Sequence, residues 1–160
     1  MAGNASHGFE ATVRWTGNAG TGTSAYTAYR RTHEIEAAGK PAIPASADPA
    51  FRGDADRWNP EEMLIGAIAS CHMLWFLHLA SVAGVIVETY EDRATAEMRI
   101  NPDGSGEFTS ATLRPHVTVS AGDAGLLPEL HGRAHEKCFI ARSLNFEVAC
   151  EPVLAAADTV

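Results

Sequence analysis

NPEEMLIGAIASCHMLWFLHLASVAG, residues 59 to 84, is the stretch from which the rest of the chain is organised. Asn59 suits an N-cap, Pro60 the first helical position, and Glu62 stands where it completes a capping box. The helix is predicted over Pro60 to Ala83, with Gly84 as its stop. From Met63 to Val87 no residue carries a formal charge, a run of about twenty-five residues, long enough to cross a bilayer. Its flanks argue otherwise: Glu61 and Glu62 precede it, ETYEDR follows, and His72, His78, Ser70 and Ser81 interrupt it. Aromatic and basic anchors are missing. A helix apolar all round is equally the covered central helix of a soluble protein, and no membrane partner is expected.

Working outward, residues 7 to 16 place Phe9, Ala11, Val13 and Trp15 on one side by alternation, which predicts a strand with one buried face. Ser24 to Ile35 reads as one or two further strands. GKPAIPASADPAFRGDADRW, residues 39 to 58, reads as a long loop, a kind that is often functional. Its Asp48, Asp54 and Asp56 could be caps, salt-bridge partners or solvated surface, and the last is expected. Beyond the helix, Val85 to Ile100 and Glu107 to Ser120 read as a hairpin closed by NPDGSG. A second helix over Ala124 to Cys138 carries the stripe Leu126, Leu127, Leu130 and Ala134, and Leu144 to Glu151 reads as a last strand. The class is α+β, one domain over residues 1 to 160 with antiparallel sheets around a long central helix. That helix has more apolar surface than so small a domain covers, which predicts a homodimer.

A chain of 160 residues buries roughly two-thirds of its unfolded surface and needs no disulfide staples. The net charge of -8, with no basic stripe, excludes nucleic acid as the expected partner. Three cysteines are too few for a secreted scaffold, and residues 1 to 10 lack the regions of a signal peptide, so the expected location is cytoplasmic.

A thiol in an apolar helix is ordinarily inert packing, since burial favours its neutral form. Around Cys71, however, Gly66, Ala67, Ala69 and Ser70 let other elements approach closely, and Leu74, Trp75 and His78 offer an apolar pocket fit for an alkyl or aryl peroxide. A thiol that attacks a peroxide oxygen must be a thiolate, and a fixed cation stabilises that form. Arginine fits the task because it bridges a carboxylate and a sulfur. Glu61 is the carboxylate at hand, with Arg52 and Arg57 in the preceding loop. Attack leaves a sulfenic acid, which a second thiol condenses to a disulfide. Cys138 is the candidate, and Cys150 reads as packing.

NPEEMLIGAIASC and AHEKCFIARSL together resemble the OsmC/Ohr family of osmotically inducible proteins and organic hydroperoxide reductases. The match combines an Asn-Pro-Glu helix start, a Cys ten residues after the first Glu, and a second Cys 67 residues later. RWTGN, SADPAFRGD and CFIARSLNF look like a particular branch. The resemblance implies an intertwined homodimer with an OsmC-like fold, Cys71 as peroxidatic thiol, Cys138 as resolving thiol, and Glu61 and Arg52 assisting. It also implies reduction of organic hydroperoxides, and of hydrogen peroxide in some members, without metal or flavin, and a dithiol reductant such as a lipoylated protein. Ten helical residues rise about 15 Å and turn the side chains about 80° apart, so Glu61 does not reach the Cys71 of its own helix. If both work in one site, either an arginine spans much of the gap or Glu61 and the arginine come from the other subunit, and the second is expected.

Departures qualify the resemblance. Arg52 falls one residue short of the family spacing to the glutamate, which leaves Arg57, Arg30 and Arg31 as alternatives. His72 and Trp75 replace smaller side chains, and Phe139 stands where proline is common. Three other readings compete. His131, His135 and Cys138 share one helix face and could hold zinc; the blander reading puts His131 at the surface. Cys71 with His78 or His135 could form a hydrolase pair, although no glycine-rich oxyanion loop is evident. The third is a non-catalytic binding or stress protein of the same fold.

Overall fold

The computed structural model describes residues 5–154. Its contacts fall into two compact units, Met1–Met63 and Leu64–Val160, taken here one at a time.

The first unit holds an antiparallel sheet in the order β1 (Thr12–Trp15), β2 (His33–Glu36), β3 (Ile43–Ala45). The strand expected over residues 7 to 16 is only four residues long, and its face is open: Phe9 is 97% exposed and Val13 65%. Only β2 forms within Ser24 to Ile35 and just beyond; the segment before it turns, held by the Trp15 Nε1 donation to the Arg30 carbonyl at 2.9 Å. Nor is the 39 to 58 segment structureless, since it contains β3 and a short 3-10 helix, Pro49–Phe51. Asp48 caps that helix, its carboxylate accepting from Ala50 N at 2.7 Å, which corrects the reading of Asp48 as solvated surface. Ser46, fully buried, closes the loop by accepting from Asp54 N at 3.1 Å.

Helix α1 (Pro60–Val82) starts as its sequence predicts. Asn59 Oδ1 accepts from Glu62 N at 2.8 Å while Glu62 Oε2 accepts from Asn59 N at 3.5 Å, a reciprocal capping box. At the far end Gly84 takes φ 73, and Val85 N reaches back to Ala80 O at 2.9 Å. That six-to-one closure needs a left-handed residue, which glycine supplies without strain.

In the second unit the two long predicted strands each break in two. They give β4 (Ile86–Asp92), β5 (Thr95–Ile100), β6 (Gly106–Leu113) and β7 (Pro115–Ala121). The β5–β6 hairpin forms around residues 101–105, as its turn chemistry predicts, whereas β4 pairs antiparallel with β7. A 3-10 turn, Ala124–Leu126, leads into α2 (Leu127–Lys137), which ends with Cys138 as its C-cap. Then β8 (Glu147–Cys150) joins β6, and β9 (Val153–Leu154), which the sequence does not announce, joins β7. Both pairings are parallel, so the sheets β4-β7-β9 and β5-β6-β8 are mixed rather than antiparallel throughout.

Two apolar clusters form the core of this unit. Phe76, Leu79 and Ala80 of α1 pack with Val117, Leu127, Leu130 and Ala134; Ile68 packs with Ala111, Leu113 and Val148. One stripe of α1 thus serves both clusters. Its length and apolarity would also span a bilayer, but Ile68, Phe76, Leu79 and Ala80 are spent on this core. His72 is buried on the same stripe, one turn from Ile68 and one from Phe76.

Candidate functional site

Cys71 lies half-buried on α1, and Cys138 is 1% exposed at the end of α2. The fold brings these thiols together from helices 67 residues apart in sequence. Burial pushes the Cys138 thiol up to about 11. Donation from the Ala141 N–H, 3.4 Å from Cys138 Sγ, and the Ile140 N–H opposes the rise, while a side-chain hydrogen bond with Cys71 and the charge of Cys71 add to it. At neutral pH Cys138 is a protonated thiol facing Cys71. Both are free.

Of the expected pocket residues, Trp75 is half-buried, edge-on to Phe139 at 5.6 Å and to His78 at 5.9 Å. Leu74 and Phe139 stand open, 60% and 67% exposed. The result is an aromatic ledge beside the thiol helix. Among the described residues neither His78 nor His135 hydrogen-bonds Cys71.

The loop arginines of the first unit differ from one another. Arg31 is engaged locally, donating to Tyr29 O at 2.7 Å and Tyr26 O at 2.8 Å and stacking on both rings. Arg52, at φ 65, is exposed, with its guanidinium 5.8 Å from the Tyr26 ring centre. Arg57 Nη1 is buried without a hydrogen-bond partner among the described residues, and so is Glu61 Oε2.

A second cluster was not anticipated from the sequence. His72 Nε2 lies 3.0 Å from His131 Nδ1 and 3.6 Å from Cys150 Sγ. His131 is 3% exposed, so it is no surface residue, and it stacks on Phe76 at 4.1 Å between ring centres. Its partners are His72 and Cys150; the helix-face trio of His131, His135 and Cys138 is not what the fold gathers. Burial lowers both imidazoles to about 4, each aided by a second histidine: His135 acts on His72, and His72 on His131. Cys150 is pushed up to about 11 by burial and by the charges of Asp92 and Glu151. The signal for this cluster was present in the chain as His72, four residues after Ile68 and four before Phe76, a polar residue within an apolar stripe.

The family model of OsmC-like proteins matches residues 53–152. The chain belongs to the OsmC-like family. Among solved structures it is similar to an OsmC-like protein of unknown function from Vibrio cholerae, with 34% identity, a TM-score of 0.81, and coverage of 92% of this chain and 100% of that one. The fold is shared with an organic hydroperoxide resistance protein OsmC from Legionella pneumophila (16% identity, TM-score 0.67, covering 95% and 99%). It is shared too with the organic hydroperoxide resistance protein OhrB of Bacillus subtilis (18% identity, TM-score 0.63, covering 93% and 98%). None of the curated proteins matches the chain. The α+β class with a long central helix expected from the sequence is the OsmC-like fold.

Proposed function

We propose that this OsmC-like chain is a thiol-dependent peroxidase that reduces organic hydroperoxides through Cys71 and Cys138. The observation that carries the reading is the meeting of these two free thiols, one half-exposed and one buried and protonated. In the proposed cycle the Cys71 thiolate attacks the distal peroxide oxygen. The O–O bond breaks, Cys71 becomes a sulfenic acid, and the alkoxide takes a proton to leave as an alcohol. Cys138 then gives up its proton and attacks the Cys71 sulfur, water departs, and a disulfide remains. A dithiol reductant, of which a lipoylated protein is one class, restores both thiols by exchange.

The ledge of Leu74, Trp75, His78 and Phe139 suits an alkyl or aryl peroxide. Its exposure, with that of Phe9 and Val13, supports a homodimer in which a second subunit completes the pocket. A cytoplasmic site of action fits free thiols. For the cation that stabilises the Cys71 thiolate, the unpartnered Nη1 of Arg57 and Oε2 of Glu61 make Arg57 a better candidate than the exposed Arg52. Their source in the partner subunit rests on the spacing along α1.

Reduced protein mixed with cumene hydroperoxide tests the reading. Loss of two thiols per chain and a Cys71 to Cys138 bond are expected, and Cys71→Ser abolishes peroxide consumption. Thiol loss no faster than that of free cysteine would overturn the assignment.

A further inference from the structure

We propose that His72 Nε2, His131 Nδ1 and Cys150 Sγ form a site for one zinc ion, or a similarly borderline-soft divalent metal, separate from the Cys71 and Cys138 pair. The proposal does not depend on the peroxidase reading. The three atoms lie within 4.8 Å of one another and come from α1, α2 and β8. Zinc binds nitrogen at about 2.0–2.1 Å and sulfur at about 2.3 Å, and tetrahedral angles then place two nitrogens about 3.3 Å apart and nitrogen about 3.6 Å from sulfur. The separations from His72 Nε2 are 3.0 and 3.6 Å, and His131 Nδ1 lies within 4.8 Å of Cys150 Sγ, so an ion needs a slight opening of the histidine pair and an approach of the thiol to His131.

Hydrogen bonding alone serves this cluster poorly. An imidazole nitrogen has either one lone pair or one hydrogen, so His72 Nε2 satisfies one of its two contacts and not both. The other nitrogen of the same ring, Nδ1, is buried with no partner among the described residues. A polar ring in such a place is costly, and an apolar side chain between Ile68 and Phe76 would stabilise the core more simply. A metal removes the competition at Nε2, because it accepts all three lone pairs at once, and it fixes the hydrogen of His72 on Nδ1.

The chemistry of the donors names the metal class. Two imidazoles and a thiolate suit zinc or cobalt(II) and disfavour calcium or magnesium, which require oxygen. The neutral imidazole is the form that ligates. Binding releases the Cys150 proton to solvent, and the thiolate carries the charge to the ion. Tyr90 Oη and Asp92 Oδ2 are buried without partners, and the charge of Asp92 acts on both Tyr90 and Cys150. The fourth position of a tetrahedral ion is left to a water.

Cobalt(II) titration of the full-length chain tests the site. The chain carries Cys71→Ser and Cys138→Ser to remove competing thiols, and is first reduced and stripped with chelator. One equivalent per chain is expected, with the intense visible bands of a tetrahedral ion and a thiolate-to-cobalt charge-transfer band, both lost when zinc displaces cobalt. Adding Cys150→Ser removes the charge-transfer band, His131→Gln weakens binding by at least about tenfold, and His135→Ala leaves it intact. Circular dichroism confirms that each variant is folded, and zinc raises the melting temperature of the otherwise unaltered chain but not of Cys150→Ser. The proposal is overturned by the absence of saturable binding, by binding that survives Cys150→Ser unchanged, or by dependence on His135 in place of His131.

Discussion

Cys138, at the C-cap of α2, holds its buried thiol against Cys71 of α1, and that contact separates the roles of two otherwise equivalent sulfurs. With its pKa pushed up to about 11, Cys138 is almost wholly protonated at neutral pH, and with 1% exposure it is shielded from solutes. Cys71 is the more accessible of the two.

The order of alkylation follows. Iodoacetamide at neutral pH, with peptide mapping at short times, is expected to mark Cys71 well before Cys138, since burial raises the Cys138 pKa and shields its sulfur from solutes. Oxidation with excess peroxide is expected to drive Cys71 to sulfinic acid in Cys138→Ser and much less so in the unaltered chain, because only the latter can trap the sulfenic acid. If Cys138 is labelled first, the division of roles is wrong.

Alkaline stability reports the same burial. The unfolded Cys138 loses its proton near its ordinary value of 9.0, the folded one near 11. Between those values the unfolded state binds fewer protons, so stability falls as pH rises through that window. Cys150 titrates in the same direction over the same range. Denaturant midpoints measured at pH 8 and pH 10.5 should differ less in Cys138→Ala than in the unaltered chain; an identical pH slope in the two would mean that Cys138 is not desolvated.

How far the chain could be read in advance depended on whether the deciding interactions were local. The α1 boundaries were legible because Asn59, Pro60, Glu62 and Gly84 act within one turn of where they stand. The Cys71 and Cys138 pair was legible only through motif resemblance. Breaks inside the long strands were not, because they arise from pairing: β4 turns to β7, and Arg114 N donates to Asp92 Oδ1 at 2.7 Å where the ladders part. Nor was the parallel addition of β8 and β9, a long-range contact with no local signature. His131 was assigned to a helix face correctly, yet its partners His72 and Cys150 lie 59 and 19 residues away, beyond any periodicity.

Asn59 offers a test of the helix start. It is 6% exposed and exchanges hydrogen bonds with Glu62. Asn59→Ala is expected to lower stability by about 1 kcal/mol, and Asn59→Asp by much less, because aspartate retains the acceptor. Equal melting temperatures for the two variants would show that the side-chain acceptor is not what holds the first turn.

The loop before α1 bears on which arginine serves Cys71. Gly53 packs so closely that an added Cβ would lie 1.5 Å from the Ala47 carbonyl oxygen, so Gly53→Ala must open the turn that Gly53 N closes onto Asp48 O at 3.0 Å. If that loop presents the cation, moving it slows attack on peroxide without altering either thiol. Arg57→Ala is expected to reduce the second-order rate with cumene hydroperoxide at least about tenfold, the consequence of losing about 1.4 kcal/mol of thiolate or transition-state stabilisation. Gly53→Ala should fall in the same direction, while Arg52→Ala, whose guanidinium already stands in solvent beside Tyr26, should cost less. Stopped-flow traces on the three variants decide it, and a larger loss for Arg52→Ala than for Arg57→Ala would return the role to Arg52. Mixing Glu61→Gln subunits with Cys71→Ser subunits then locates the carboxylate: activity recovered in the mixture requires that one subunit supply Glu61 and the other Cys71, and no recovery in mixed dimers confines both to a single chain.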